Sequence, residues 1–151
     1  MFSKTIEYAL RATIYIAERG TIDHKLSIEE ISRAIDSPKP FTAKILQLLS
    51  KGEVISSVKG PNGGFYITRQ SLKLPARAIL EAMEKEDLFN RCILGLHTCS
   101  EANPCPMHAE FKTIKGQLNN LFQKKTIQNL ADKMKEANIF INNARDKDVT
   151  K

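Results

Sequence analysis

The stretch "SIEEISRAIDSPKPFTAKILQLLSKGEVISSVKGPNGGFYIT", residues 27–68, decides the fold. Ser27 and Glu30 form a capping-box pattern, and Ile28, Ile31 and Ile35 supply one apolar helical face. "DSP" then interrupts that helix and prepares another, with Ser37 suited to cap it and Pro38 to its first position. The next helix, "PKPFTAKILQLLSKG", directs Phe41, Ile45, Leu46, Leu48 and Leu49 to a core and stops near Gly52. After it, Val54, Ser56 and Val58 alternate with Ile55 and Ser57, "GPNGG" is a turn cluster, and "FYIT" is β-prone. That sequence reads as a β-hairpin.

Upstream, Ile6, Ala9, Leu10, Thr13, Ile16 and Ala17 recur at helical spacing over residues 3–19, with Gly20 placed to end the helix. Three helices followed by a hairpin is the order of a winged helix-turn-helix, and the short break at Asp36–Pro38 suits that motif. Downstream, residues 75–86 predict one more helix. Residues 91–108, "RCILGLHTCSEANPCPMH", lack periodicity and contain Gly95 and Pro104, so they read as a loop. From 105 to 124, Met107, Phe111, Ile114, Leu118, Leu121 and Phe122 make one apolar stripe on a long helix. Thr126 can cap a final helix carrying Ile127, Leu130, Met134 and Ile139, and the closing "RDKDVTK" reads as disordered. The fold class is therefore mainly α with a small β-hairpin.

The 151 residues carry a formal charge of +6, and 42% are hydrophobic, enough for a core. Residues 1–70 hold ten Lys/Arg against seven Asp/Glu, and residues 107–151 nine against five, while the segment between is slightly acidic. A basic excess of this size fits nucleic-acid binding without establishing it. No run of 18 apolar residues exists, which argues against a membrane span, and the start does not resemble a signal peptide. The expected compartment is the cytosol.

In a helix-turn-helix the second helix of the motif enters the major groove, where base edges present distinguishable donors and acceptors. The expected outward residues of that helix are Lys39, Thr42, Ala43 and Lys44, with Ser37 at its N-terminus suited to a phosphate. Lys59 and Asn62 at the hairpin tip are placed to meet the sugar–phosphate edge or the minor groove. Each lysine alone reads equally as a solvated side chain; the joint pattern of motif, wing and basic tip favours DNA.

All three cysteines, Cys92, Cys99 and Cys105, lie in the 91–108 loop, with gaps of six and five residues and His108 following after two more. Clustered thiols in a reducing compartment are more often metal-binding or redox-active than structural disulfides. Three thiolates from an irregular loop suit three corners of an iron–sulfur cluster, with His108 the nearest further ligand and His97 a weaker one. Zinc held by three cysteines and a histidine has acceptable chemistry, although structural zinc sites show tighter paired spacing. A metal-free thiol switch and unliganded buried cysteines are the remaining alternatives.

The segments "SIEEIS", "ILQLLSKGEV", "SSVKGPNGGFYIT" and "C…C…CPMH" resemble the Rrf-two family of bacterial winged-helix regulators, over about residues 3 to 130. The resemblance implies a homodimer that reads a palindromic DNA site, with the long helix after the cysteines forming the interface. It divides the chain into a DNA-binding domain, 1–73, and a segment 74–151 holding a linker helix, the cysteine sensor loop and the dimerisation helices. It also implies an iron–sulfur cluster whose fourth ligand varies: a histidine after the third cysteine, here His108, or an acidic residue in the first helix, matching Glu7 of the partner subunit. The first gap is five residues in the family pattern and six here, which leaves a two-iron and a four-iron cluster both open. The implied role is a transcription regulator sensing iron–sulfur status, nitric oxide or redox stress. An iron–sulfur enzyme is disfavoured by the lack of a phosphate-binding glycine loop or a nucleophile–base spacing. A winged helix used purely for protein interaction is the other rival.

Overall fold

The computed structural model describes residues 2–83, 88–136 and 141. Helix α1, Lys4–Arg19, starts at Ser3, whose hydroxyl accepts from the Ile6 N–H, and ends at Gly20. Helix α2, Ile28–Ala34, is capped by Ser27 as its sequence predicts, with the Glu30 N–H donating to the Ser27 hydroxyl at 3.1 Å. Helix α3, Lys39–Lys51, packs against both. Strands β1, Ser56–Val58, and β2, Gly64–Tyr66, pair antiparallel as the wing. Two short helices follow, α4, Arg69–Leu72, and α5, Arg77–Met83; then a 3-10 turn at Leu88–Asn90, the cysteine loop, α6, His108–Lys124, and α7, Ile127–Glu136.

The core is aliphatic: Ile16, Ile31, Ile35, Ile45, Leu46 and Leu49 are completely or almost completely buried. At about 1.5–3 kcal/mol for each large side chain, such burial is the main force holding the helices together. Ile79 of α5 and Ile127 of α7 belong to the same buried cluster, so the core runs across residue 73. Backbone bonds lock the late elements together: Ala76 N–H donates to Lys125 O at 2.7 Å, and Ile127 N–H to Leu74 O at 3.0 Å. Thr126 caps α7 as expected, its hydroxyl accepting from Asn129 N–H while the Asn129 carboxamide accepts from Thr126 N–H.

Gly52 ends α3, and the reason is space. A Cβ there would lie 2.8 Å from the Ala82 Cβ of α5, so the residue lets the two helices approach. The wing is tied to the body by reciprocal 2.8 Å backbone bonds between Leu26 and Phe65.

Several expectations need correction. Phe41, assigned to the core, is 56% exposed, whereas its neighbour Thr42, assigned to the surface, is fully buried. Thr42, Ile45, Leu46 and Leu49 form the inward stripe at steps of three and four, so Phe41 turns outward. Ser37 does not cap α3: Pro38 holds the N-cap position, and Ser37 lies buried before it. Val54 and Ile55 are both buried rather than alternating, because the strand proper begins at Ser56. The sequence reading missed α4, which Thr68 caps through Ser71 N–H, and α6 begins at His108 rather than at 105. The expected disorder of "RDKDVTK", the placing of Ile139, and the end of the 75–86 helix fall outside the described residues.

Candidate DNA-binding surface and cysteine centre

Lys39, Ala43 and Lys44 of α3 are exposed, as expected, and Phe41 joins them. The Lys39 ammonium pairs with the Glu29 carboxylate of α2 at 2.5 Å, which holds that carboxyl below its usual range. The Thr42 hydroxyl is shared between Ser37 Oγ and Pro38 O, each at 3.0 Å, so Thr42 and Ser37 support the helix start instead of facing outward. Lys59 and Asn62 are exposed on the wing. Its turn closes through Gly63 N–H to Gly60 O, and a Cβ on Gly63 would meet Val58 O at 2.0 Å.

The start of the cysteine loop is held against α5 and α6, and its end runs directly into α6 at His108. Arg77 of α5 bonds the Asn119 carboxamide of α6 and stacks 5.1 Å over Phe89, while Lys115 of α6 donates to Arg91 O at 3.1 Å. Between these anchors the sulfurs of Cys92, Cys99 and Cys105 converge within 4.8 Å of one another, and all three are free thiols. Cys92 Sγ lies 3.6 Å from Cys105 Sγ, and Cys99 Sγ lies 3.3 Å from His108 Nδ1. Residues separated by up to sixteen positions thus meet beside a cavity of about 50 Å³ that includes His108 in its wall.

Backbone N–H groups of Leu96 and Leu94 directed at its sulfur lower the Cys92 thiol to about 7, whereas burial pushes Cys105 up. The set supplies what a thiophilic metal or cluster needs: three sulfurs in reach of one centre, one readily ionised, and an adjacent imidazole. His97 is exposed and lines a neighbouring recess with Cys92 and Cys99. Glu7 lies in the first turn of α1 and does not line the thiol cavity.

Helix α6 has no fully buried residue, and Met107 before it, Ile114 and Leu121 are 45%, 52% and 52% exposed. Phe2, Phe89, Ile93, Phe111, Ile114 and Leu118 border an apolar recess of about 580 Å³ beside Cys92.

Sequence reasoning did not place Phe41 on the outer face of α3 or Glu101 beside the thiol loop's histidine. The first was discoverable from the three-four stripe through Thr42. The second was not, because only the folded loop brings Glu101 to His108, at 3.3 Å.

A helix-turn-helix followed by a glycine-turned wing defines a winged-helix fold, continued here by a long helix that bears an uncovered apolar face. Residues 2–133 match the Rrf2 family, described as iron-dependent transcriptional regulators, and the chain belongs to that family. An HTH-type transcriptional regulator of Aquifex aeolicus (strain VF5) is 36% identical over 142 residues, covering 93% of this chain and 96% of that protein. The HTH-type transcriptional regulator IscR of Yersinia pseudotuberculosis is 21% identical over 125 residues, 83% of this chain and 75% of that protein. Among solved structures, CymR, the global cysteine regulator of B. subtilis, superposes with a TM-score of 0.71 at 16% identity, covering 87% of this chain and 96% of that one. T. potens IscR gives 0.71 at 16% identity, covering 92% and 91%. The expected fold class is thereby borne out. The protein is a transcriptional regulator, not an enzyme. No helix of the described residues is long and apolar enough to cross a membrane.

Proposed function

We propose that this regulator is a cytoplasmic homodimer whose binding to a palindromic DNA operator is modulated by an iron–sulfur cluster at the cysteine loop. The observation that carries the proposal is the convergence of Cys92, Cys99, Cys105 and His108 at the start of α6, beside an uncovered apolar face. The three thiolates would hold the cluster, and His108 is the nearest further ligand, with Glu7 of the partner subunit the alternative. Such a cluster would supply a redox-responsive centre in the loop, and the family resemblance points to iron–sulfur supply, oxidants or nitric oxide as its signal. The chain's own part is mechanical. Arg77, Lys115 and His108 tie the loop to α5 and α6, so a change in loop order alters how α6 meets its counterpart and how far apart the two copies of α3 lie. A coupling of about 1–3 kcal/mol between centre and DNA suffices for a 5–150-fold switch.

On the DNA side, the exposed Lys39, Lys44 and Lys59 would neutralise phosphates, Asn62 would meet the sugar–phosphate edge or the minor groove, and the exposed Ala43 and Phe41 would offer apolar contact to thymine methyls. Ser37 and Thr42 contribute by setting the start of α3.

A second reading is favoured by one distance. The 3.6 Å between Cys92 and Cys105 sulfurs is close to the roughly 3.8 Å between thiolates on one tetrahedral zinc, and it also suits a disulfide formed between them by exchange with a small-molecule disulfide, which would take up the two electrons and two protons and leave as two thiols. Anaerobic purification with iron, sulfide and zinc counts separates the readings. Iron with sulfide is expected; a colourless, zinc-loaded protein overturns the cluster. Operator sites selected from random duplex DNA then serve to compare loaded and metal-free protein at fixed salt, and equal affinities overturn the sensing role while leaving DNA binding intact.

A further inference from the structure

His108 opens α6, and its ring bridges two environments. Nδ1 lies 3.3 Å from Cys99 Sγ, and Nε2 lies 3.3 Å from Glu101 Oε1. The same carboxylate oxygen accepts from the Lys112 ammonium, one turn further along α6. The imidazole is only 17% exposed, so its orientation is set by these neighbours more than by water.

A neutral imidazole carries one proton, and only the other nitrogen has a lone pair for a metal. An ionised carboxylate accepts but cannot donate. Facing Glu101, Nε2 therefore keeps the proton, and the Nδ1 lone pair is directed at the sulfurs. Glu101 reaches this place because Ser100 and Asn103 close a tight turn with reciprocal backbone bonds of 3.1 and 3.2 Å, presenting it beside α6.

We infer that Glu101 is the positioning residue that fixes His108 as an Nδ1 ligand of the cysteine centre, with Lys112 holding the carboxylate in place. This rests on the reading of the loop as a metal-holding centre. Metal-ligating histidines generally donate their second ring N–H to such an acceptor, and loss of the acceptor costs about 10–100-fold in metal affinity. The chain Cys99–His108–Glu101–Lys112 also joins the loop to α6 through side chains, so the same carboxylate serves centre and helix.

The test uses full-length, metal-free protein with 15N-labelled histidine, and Co²⁺ as the probe metal. In the unmutated protein His108 is expected as the Nε2–H tautomer, assigned by comparison with His108→Gln. Glu101→Ala should mix the tautomers and lower Co²⁺ affinity about 10–100-fold, with altered visible bands. Glu101→Gln, which keeps an acceptor oxygen, should restore most of the affinity, and Lys112→Met should lose less than Glu101→Ala. A Glu101→Ala protein with unchanged tautomer and unchanged Co²⁺ affinity overturns the inference. Iron and sulfide counts on the unmutated protein stand apart: their absence with Co²⁺ binding intact removes the cluster reading but not the role of Glu101.

Discussion

The Thr42 hydroxyl lies 3.0 Å from Ser37 Oγ, and both residues are buried beneath the start of α3. A side chain that reads as a base contact in the sequence is a strut under the helix proposed to meet DNA. Thr42→Val keeps the shape and removes the hydroxyl, leaving Ser37 Oγ without that partner. Urea unfolding should show a loss of about 1–2 kcal/mol. Unchanged stability with abolished DNA binding would restore Thr42 to the outer face.

On the proposed DNA surface, Glu29 would compete with phosphate for Lys39, the pair being 2.5 Å apart and more than half exposed. Glu29→Gln should therefore tighten binding to duplex DNA by about 2–5-fold at low salt, the scale of an exposed ion pair. Lys39→Gln should instead reduce the salt-dependence slope by about one. Fluorescence anisotropy across a salt series measures both.

The apolar face of α6 should carry self-association. Ile114→Glu and Leu121→Glu replace side chains that are each 52% exposed in the protomer, so the folded protomer should change by no more than about 0.5 kcal/mol. Analytical ultracentrifugation is expected to show the dimer falling apart, with weaker binding to palindromic sites. A dimer that survives both substitutions would move the interface elsewhere.

Cys92 should be the first thiol to react. Its thiol is lowered to about 7 by the Leu96 and Leu94 N–H groups, so it is mostly thiolate above that pH and mostly thiol below it. In metal-free protein, its alkylation by iodoacetamide should rise through about pH 7 and level off above pH 8, while Cys105, pushed up by burial, lags. Mass spectrometry of peptides quenched at intervals gives each rate.

Gly63→Ala forces a Cβ to within 2.0 Å of Val58 O, so the wing turn must open. Helical circular dichroism should persist, since the core lies elsewhere. The amide at position 63, bonded to Gly60 O in the unmutated protein, should lose hydrogen-exchange protection, and DNA affinity should fall with the displaced Lys59 and Asn62. Retained affinity would remove the wing from the DNA surface.

Much of this molecule was legible in its sequence because the signals were local. Ser27 and Thr126 cap through N–H groups three residues away, "GPNGG" turns the hairpin, and the spacing of Ile6, Ala9, Thr13 and Ile16 marks the buried side of α1. The helix order, the wing and the presence of a cysteine loop all follow from such short-range chemistry. By contrast, the choice between Phe41 and Thr42 for the outer face was settled by packing: α3 lies against α1, α2 and α5, and only the stripe they cover is buried. Nor could spacing alone place three sulfurs within 4.8 Å, set His108 on Cys99, or bring Glu101 to the far side of that ring. Those meetings depend on where α5 and α6 hold the two ends of the loop. The sequence by itself determined all the main elements except α4, and their order, since caps, turns and periodicity act over a few residues. Only the tertiary structure decided which faces are covered and which side chains meet, because burial and contact depend on partners distant in the chain.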